Sequence, residues 1–267
     1  MGEKITTPHI VKMKGRGEKI TCLTAYDYAF ARILDEAGVE MLLVGDSLGC
    51  VVQGNHNTLA VTMDEMIYHT RLVARGRKRA LLIGDMPFLS YQVCKEKALE
   101  NAGRFLQEGG AEAVKLEGGV TVRDTIEALV NAGIPVMGHI GLTPQSVHQF
   151  GGYKVQGRHK ERREAVMQDA IAVEDAGAFS LVLEGMPADL ADEITRRLTI
   201  PTIGIGAGIG CDGQVLVVHD MLGLFDDFQP KFVKRYADVK TVILGAVKGY
   251  ISDVKENKFP TEEHSFR

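Results

Sequence analysis

Five short apolar runs in this chain lead to residues that can do chemistry. MLLVG precedes Asp46 and Ser47, and LLIG precedes Asp85. AVKLEGG carries Lys115 and Glu117, VMGHIGL carries His139, and SLVL precedes Glu184. Unbroken Val/Ile/Leu/Met runs of this length read as parallel strands covered on both faces. An ionisable group ending such a run costs free energy unless it is paired, metal-bound or neutral. One such residue is a packing detail, whereas a set at the same end of five strands implies a shared site.

Asp46 and Asp85 share the pattern apolar-apolar-Gly-Asp. Two carboxylates converging on one mouth repel each other unless a cation lies between them. Mg2+ suits carboxylate oxygens and leaves positions open for water or substrate. A single Asp in that place would more often cap the next helix; a second in matching context, with Glu117 nearby, favours a metal. Zinc is disfavoured because no His/Cys cluster has suitable spacing. Strand period two places Ala113, Lys115 and Glu117 on one face, and the plain alternative is a structural Lys–Glu pair. Glu184 ends a nearly apolar strand, where a carboxyl becomes a stronger base near neutral pH. Its plain alternative is a Glu paired with a cation of the next strand. His139 reads as a ligand, a donor to a substrate oxygen, or a core histidine.

Together these groups suit a small acid with adjacent carboxylate and keto oxygens. Such a 2-oxo acid chelates a divalent ion, which polarises the ketone. Glu184 would take the proton beside the ketone, while Lys115 and Ser47 hold the carboxylate. The reaction class is enolate formation followed by carbon–carbon bond making or breaking. The residues do not name the electrophile.

Positioning such a set requires alternating strands and helices. Strand patterns fall at 19–25, 39–46, 79–85, 111–117, 134–140, 178–184, 201–206 and 215–219. Helical patterns fall at 27–37, 62–75, 121–132, 160–176, 188–198 and 231–256. The first places Phe30, Ile33 and Leu34 on one stripe. The second opens on the Thr62–Glu65 capping-box spacing. Eight alternations in one chain favour an α/β fold, the (β/α)8 TIM barrel, as a single catalytic domain over 1–267. Long loops at 47–61 and 141–159 follow the second and fifth strands, at the C-terminal face where lids and substrate walls form.

The 267 residues, 25% charged and with net charge −4, carry no basic footprint for nucleic acid. No apolar run approaches the roughly 20 residues that span a bilayer. The opening MGEKITTPHIVKMKG lacks the apolar stretch of a signal peptide. Cys22, Cys50, Cys94 and Cys211 have no metal or redox spacing, and read as reduced thiols of a cytoplasmic protein. Gly208 to Gly213 matches GxGxxG, but the VLVVHD that follows reads as a strand, which argues against a dinucleotide site. His219 and Asp220 are assigned a structural part.

Several of these segments belong to longer motifs. TTPHIVKMK, ITCLTAYDYAFA, VGDSLGCVVQGNHNTLAVTMDEM, GDMPFLSYQ, AVKLEGG, GHIGLTPQSVHQFGGYKVQG, LEGMP, IPTIGIGAG, HDMLGLF and PKFVKRY resemble the ketopantoate hydroxymethyltransferase family nearly end to end. The resemblance implies a (β/α)8 barrel and condensation of 3-methyl-2-oxobutanoate with the one-carbon unit of 5,10-methylenetetrahydrofolate, giving 2-dehydropantoate on the route to pantothenate and coenzyme A. It implies one Mg2+ per subunit, with Asp46, Asp85 and Glu117 at the metal. It places Asp46, Ser47, Asp85, Lys115 and His139 on the substrate and Glu184 as the catalytic base. It also implies a homo-oligomer, commonly a decamer. Departures fall at Cys50, Asn55–His56 and Phe225–Asp226–Asp227. The same-fold alternative is a phosphoenolpyruvate mutase or isocitrate lyase type of Mg2+-dependent C–C lyase, but its reactive-cysteine loop, such as KKCGH, is missing here.

Overall fold

A computed structural model describes residues 3–152, 154–225 and 230–266; Asp226 and Asp227 lie outside them. The chain groups into two compact units, Met1–Val217 and Val218–Arg267. The first holds eight strands: β1 (Ile20–Thr24), β2 (Met41–Val44), β3 (Leu81–Asp85), β4 (Ala113–Glu117), β5 (Val136–Gly141), β6 (Ser180–Glu184), β7 (Thr202–Ile205) and β8 (Gly213–Leu216). Each pairs in parallel with the next, and β8 pairs with β1, so the sheet closes into the expected (β/α)8 barrel.

Before β1 runs α1 (Thr7–Gly15). Then come α2 (Tyr28–Ala37), α3 (Leu48–Val51), α4 (Met63–Gly76), α5 (Lys95–Arg104), α6 (Arg123–Asn131), α7 (Val147–Phe150), α8 (Lys160–Asp175) and α9 (Ala188–Arg197). The second unit carries α10 (Val218–Met221) and α11 (Val239–Lys255). The local signals explain several boundaries. Thr62 Oγ1 accepts from Glu65 N at 3.3 Å, and Glu65 Oε2 accepts from Thr62 N at 2.8 Å, so the capping box forms. Asp27 caps α2 by accepting from Phe30 N at 2.9 Å, and Gly38 ends it at φ 95°.

Four readings need correction. Helix α2 buries Ala31 and Leu34 while Ile33 is exposed, so its inward stripe is rotated from the one expected. β8 begins at Gly213, two residues ahead of the expected start, and Val218 already lies in α10. The closing helical pattern begins at Val239, because Asp238 caps α11 there through Thr241 N. Helices α1 and α5 were not anticipated. The buried side of α5 is Ala98, Asn101 and Ala102, too small and too polar to read as an apolar stripe. Helix α1 buries only Ile10 and Met13.

The interior is layered. Ile20, Cys22, Met41, Leu43, Leu81, Ile83, Ala113, Met137, Val182, Ile203 and Val215 form one core with Ile5, Ile10 and Met13. Ile5 N donates to Arg79 O at 2.8 Å, just ahead of β3, and Lys14 Nζ reaches Asp212 Oδ2 at 2.9 Å, just ahead of β8. Helix α1 therefore closes the N-terminal mouth with apolar side chains. Stepping two residues up β3, β4, β5 and β6 from this core leads to the opposite mouth, where their side chains become polar.

Candidate active site

Period two carries the inward face of β3 from Ile83 to Asp85, of β4 from Ala113 to Lys115 and Glu117, of β5 from Met137 to His139, and of β6 from Val182 to Glu184. Register sets their neighbours: Asp85 lies opposite Lys115, and Glu117 opposite His139. The polar layer thus sits directly on the apolar plug. Asp85, Lys115, Glu117 and His139 are all buried.

Asp46 arrives differently. Leu43 pairs with Ile83 and Val44 with Gly84, so the inward position beside Asp85 is Gly45. The two Gly-Asp patterns are offset by one residue. The chain leaves β2 at Gly45 and turns into α3, which brings Asp46 over the site; Asp46 N lies 3.3 Å from Asp85 Oδ2. A Cβ at Gly45 would stand 2.7 Å from Ser47 Oγ, so only glycine leaves that hydroxyl its place. Ser47 Oγ lies 2.9 Å from Tyr26 Oη. Gly84 has another reason: a Cβ there would strike the Phe105 ring at 2.2 Å on the outer face.

Lys115 Nζ donates to Asp85 Oδ1 at 2.7 Å and stands 4.0 Å from Glu117 Oε1. Burial alone would lower the lysine pKa, but Asp85, Glu117 and Asp46 outweigh it and raise it, so the ammonium persists. Burial raises both Asp85 and Asp46, and for Asp46 the neighbouring Asp85 and Glu117 add to the effect. His139 lies between two acids, Nδ1 3.4 Å from Glu117 Oε1 and Nε2 3.1 Å from Glu184 Oε2, without hydrogen-bond geometry to either. Burial and Lys115 push its pKa down, yet the facing Glu117 and Glu184 outweigh them and raise it to about 9. Burial raises Glu117, but His139 and Lys115 hold it below the ordinary value. The expected apolar setting of Glu184 is not what the fold provides. Its side chain is 14% exposed and faces the imidazole.

Sequence reasoning missed Gln145 and Tyr91. Gln145 follows β5 in a 3-10 turn, Pro144–Ser146, and is buried among the acids. Its Nε2 donates to Asp46 Oδ2 at 2.9 Å, and its backbone N donates to Glu117 Oε2 at 3.0 Å. Tyr91 Oη donates to Gln145 Oε1 at 2.8 Å. Neither residue is ionisable at neutral pH or ends an apolar run, so only their position reveals them.

The donor set can be tested against a metal. Asp46, Asp85 and Glu117 bring three buried carboxylates to one mouth, against one lysine and one histidine. Glu117 Oε1 is buried without a hydrogen-bond partner. As the side chains stand, no three His, Cys, Asp or Glu among the described residues close around one point. Lys115 engages one oxygen of Asp85, Oδ1, and Gln145 one oxygen of Asp46, Oδ2. The all-oxygen chemistry and the excess of negative charge fit a hard divalent cation.

The barrel and this polar layer define a class, the (β/α)8 enzymes that work at the C-terminal mouth. Solved structures at low identity share the fold. A phosphoenolpyruvate phosphomutase from Streptomyces platensis subsp. rosaceus superposes with a TM-score of 0.65 at 14% identity, over 98% of this chain and 92% of that one. A phosphonopyruvate hydrolase in complex with oxalate and Mg++ gives 0.61 at 11% identity, over 97% and 93%. The profile of the ketopantoate hydroxymethyltransferase family matches residues 4–262. Two 3-methyl-2-oxobutanoate hydroxymethyltransferases, from Pelobacter propionicus and Geobacter sulfurreducens, are each 61% identical over 100% of this chain and cover 98% and 100% of their own lengths. The chain belongs to the ketopantoate hydroxymethyltransferase family and is an enzyme.

Proposed function

We propose that this enzyme transfers a hydroxymethyl group from 5,10-methylenetetrahydrofolate to 3-methyl-2-oxobutanoate, giving 2-dehydropantoate by way of an enolate. The observation that carries the reading is the layer of Asp46, Asp85, Lys115, Glu117, His139 and Glu184 at one barrel mouth, in a chain 61% identical to hydroxymethyltransferases of that name. Asp46, Asp85 and Glu117 would hold one Mg2+, which supplies Lewis-acid polarisation of the keto oxygen.

The protein's own groups supply the rest. Lys115 spends one N–H on Asp85 and offers its others to the substrate carboxylate, for which the Ser47 hydroxyl, 2.9 Å from Tyr26 Oη, is the second donor. Glu184 removes the proton from C3; its Oε2 lies 3.1 Å from His139 Nε2. The electron pair of the broken C–H bond enters the enolate. Water cleaves both C–N bonds of the methylene bridge, releasing tetrahydrofolate and leaving the one-carbon unit as formaldehyde; the enolate carbon bonds to its carbonyl carbon, and the resulting alkoxide takes up the proton held by Glu184. The buried floor of Val182 and Met137 keeps bulk water away beneath the reacting carbon.

A homo-oligomer, a decamer by the family resemblance, accompanies this reading. Helix α11 carries the apolar residues Val242, Val247, Ile251 and Val254, of the kind that subunit contacts cover. Cytoplasmic location is part of the same reading; among the described residues no helix is long and apolar enough to cross a membrane.

The direct test is 2-dehydropantoate formation from the two substrates, with and without a chelator. Product that appears, stops on chelation and returns with Mg2+ is the expected outcome. Turnover indifferent to the chelator removes the metal, and no product at all removes the reaction.

A further inference from the structure

We infer that Gln145 is a positioning residue that sets the orientation of two of the proposed metal-holding acids at once; this rests on the metal reading above. Its carboxamide is saturated. Nε2 donates to Asp46 Oδ2 and to Met86 O, both at 2.9 Å. Oε1 accepts from Tyr91 Oη at 2.8 Å and from Gln92 Nε2 at 3.1 Å. Turning the amide over would set its oxygen against the Asp46 carboxylate and the Met86 carbonyl, and its nitrogen against the Gln92 donor. The surroundings therefore allow one orientation.

That orientation has a consequence for each acid. Asp46 Oδ2 is engaged by Gln145, which leaves Oδ1 to face a cation. Glu117 Oε2 is engaged by the Gln145 backbone N–H, which leaves Oε1, the oxygen buried without a hydrogen-bond partner. One residue thus presents a single oxygen from each of two acids, one on β4 and one in the turn after β2. Tyr91 braces the arrangement from behind: its Oη also accepts from Glu117 N at 3.1 Å. Because Gln145 belongs to the long loop after β5, the same contacts tie that loop to the acids. Groups that orient metal ligands typically govern 10–100-fold in metal affinity or activity.

The test is Mn2+ titration of the full-length enzyme by electron paramagnetic resonance, with thermal unfolding alongside. Gln145→Met keeps the side chain's length and removes its hydrogen bonds. It is expected to weaken Mn2+ roughly 10–100-fold and to lower kcat, with the fold retained by circular dichroism. Tyr91→Phe leaves every carboxylate and the amide in place and is expected to weaken Mn2+ several-fold. The double variant is expected to lose less than the two single losses combined, because both act through one amide. If Gln145→Met does not fold, Tyr91→Phe decides alone. Folded variants with wild-type Mn2+ affinity overturn the inference while leaving the metal reading intact. Wild-type enzyme that binds no Mn2+ overturns the metal reading itself, and this inference with it.

Discussion

His139 Nε2 lies 3.1 Å from Glu184 Oε2, and the other face of the ring looks toward Glu117 Oε1 at 3.4 Å. The His139 ring therefore stands between the proposed base on β6 and a proposed metal-holding acid on β4.

If Glu184 is the base, Glu184→Gln retains binding of 3-methyl-2-oxobutanoate and loses exchange of its C3 proton. The amide keeps the side chain's shape but accepts no proton. We expect exchange in D2O, followed by proton NMR, to slow by roughly 10²–10⁴. Exchange at the wild-type rate would assign the proton transfer elsewhere.

The two aspartates are expected to answer differently to substitution. Asp46 is buried beside Asp85 and Glu117, and those acids, with burial, work against its charge. Asp46→Asn should therefore weaken Mn2+ at least about tenfold while the metal-free protein becomes no less stable. Asp85 is the partner of buried Lys115. Asp85→Ala leaves that ammonium without its hydrogen-bonded partner and should cost about 3–5 kcal/mol in urea unfolding, besides the loss of metal. Equal stability of the two variants would contradict this division.

Away from the site, Asp35 accepts from the backbone N–H groups of Lys78, Arg79 and Ala80 at 2.9, 2.9 and 2.7 Å. Burial acts to raise its pKa, but these donors and the Arg79 guanidinium outweigh it and hold it below the ordinary 3.8. A depressed carboxyl stabilises the fold above its unfolded value, and the effect fades as pH falls through its folded value. We expect Asp35→Asn to lose about 1 kcal/mol at neutral pH. The gap from wild type should close as the pH falls through the depressed pKa of Asp35. Urea unfolding across that range reads it; a gap that widens in acid would reverse the sign.

Cys211 precedes β8 at the closed mouth, where Lys19 Nζ donates to its carbonyl at 2.6 Å. Its thiol is buried, and burial raises its pKa. Cys211→Ser should leave kcat within about twofold, since neither location nor thiolate character suits it to chemistry at the other end. A folded but inactive variant would bring the thiol back into the mechanism.

The alternation of apolar runs with helical stripes determined the barrel, because each strand of a closed parallel sheet is covered on both faces and shows it in composition. The same logic located Asp85, Lys115, Glu117, His139 and Glu184, all ionisable and all one or two steps beyond an apolar stretch. The capping box at Thr62 and Glu65 was equally plain, being a contact between near neighbours in the chain. Tertiary structure decided what depends on partners far apart in sequence. The matching Gly-Asp pairs are out of phase, and only the β2–β3 register reveals that Gly45 faces inward while Asp46 reaches the site by a turn. Gly84 is explained by a phenylalanine on a later segment. Gln145 and Tyr91 carry no charge and break no pattern. Their importance lies in hydrogen bonds spanning 99 residues to Asp46 and 26 to Glu117, which no local periodicity encodes.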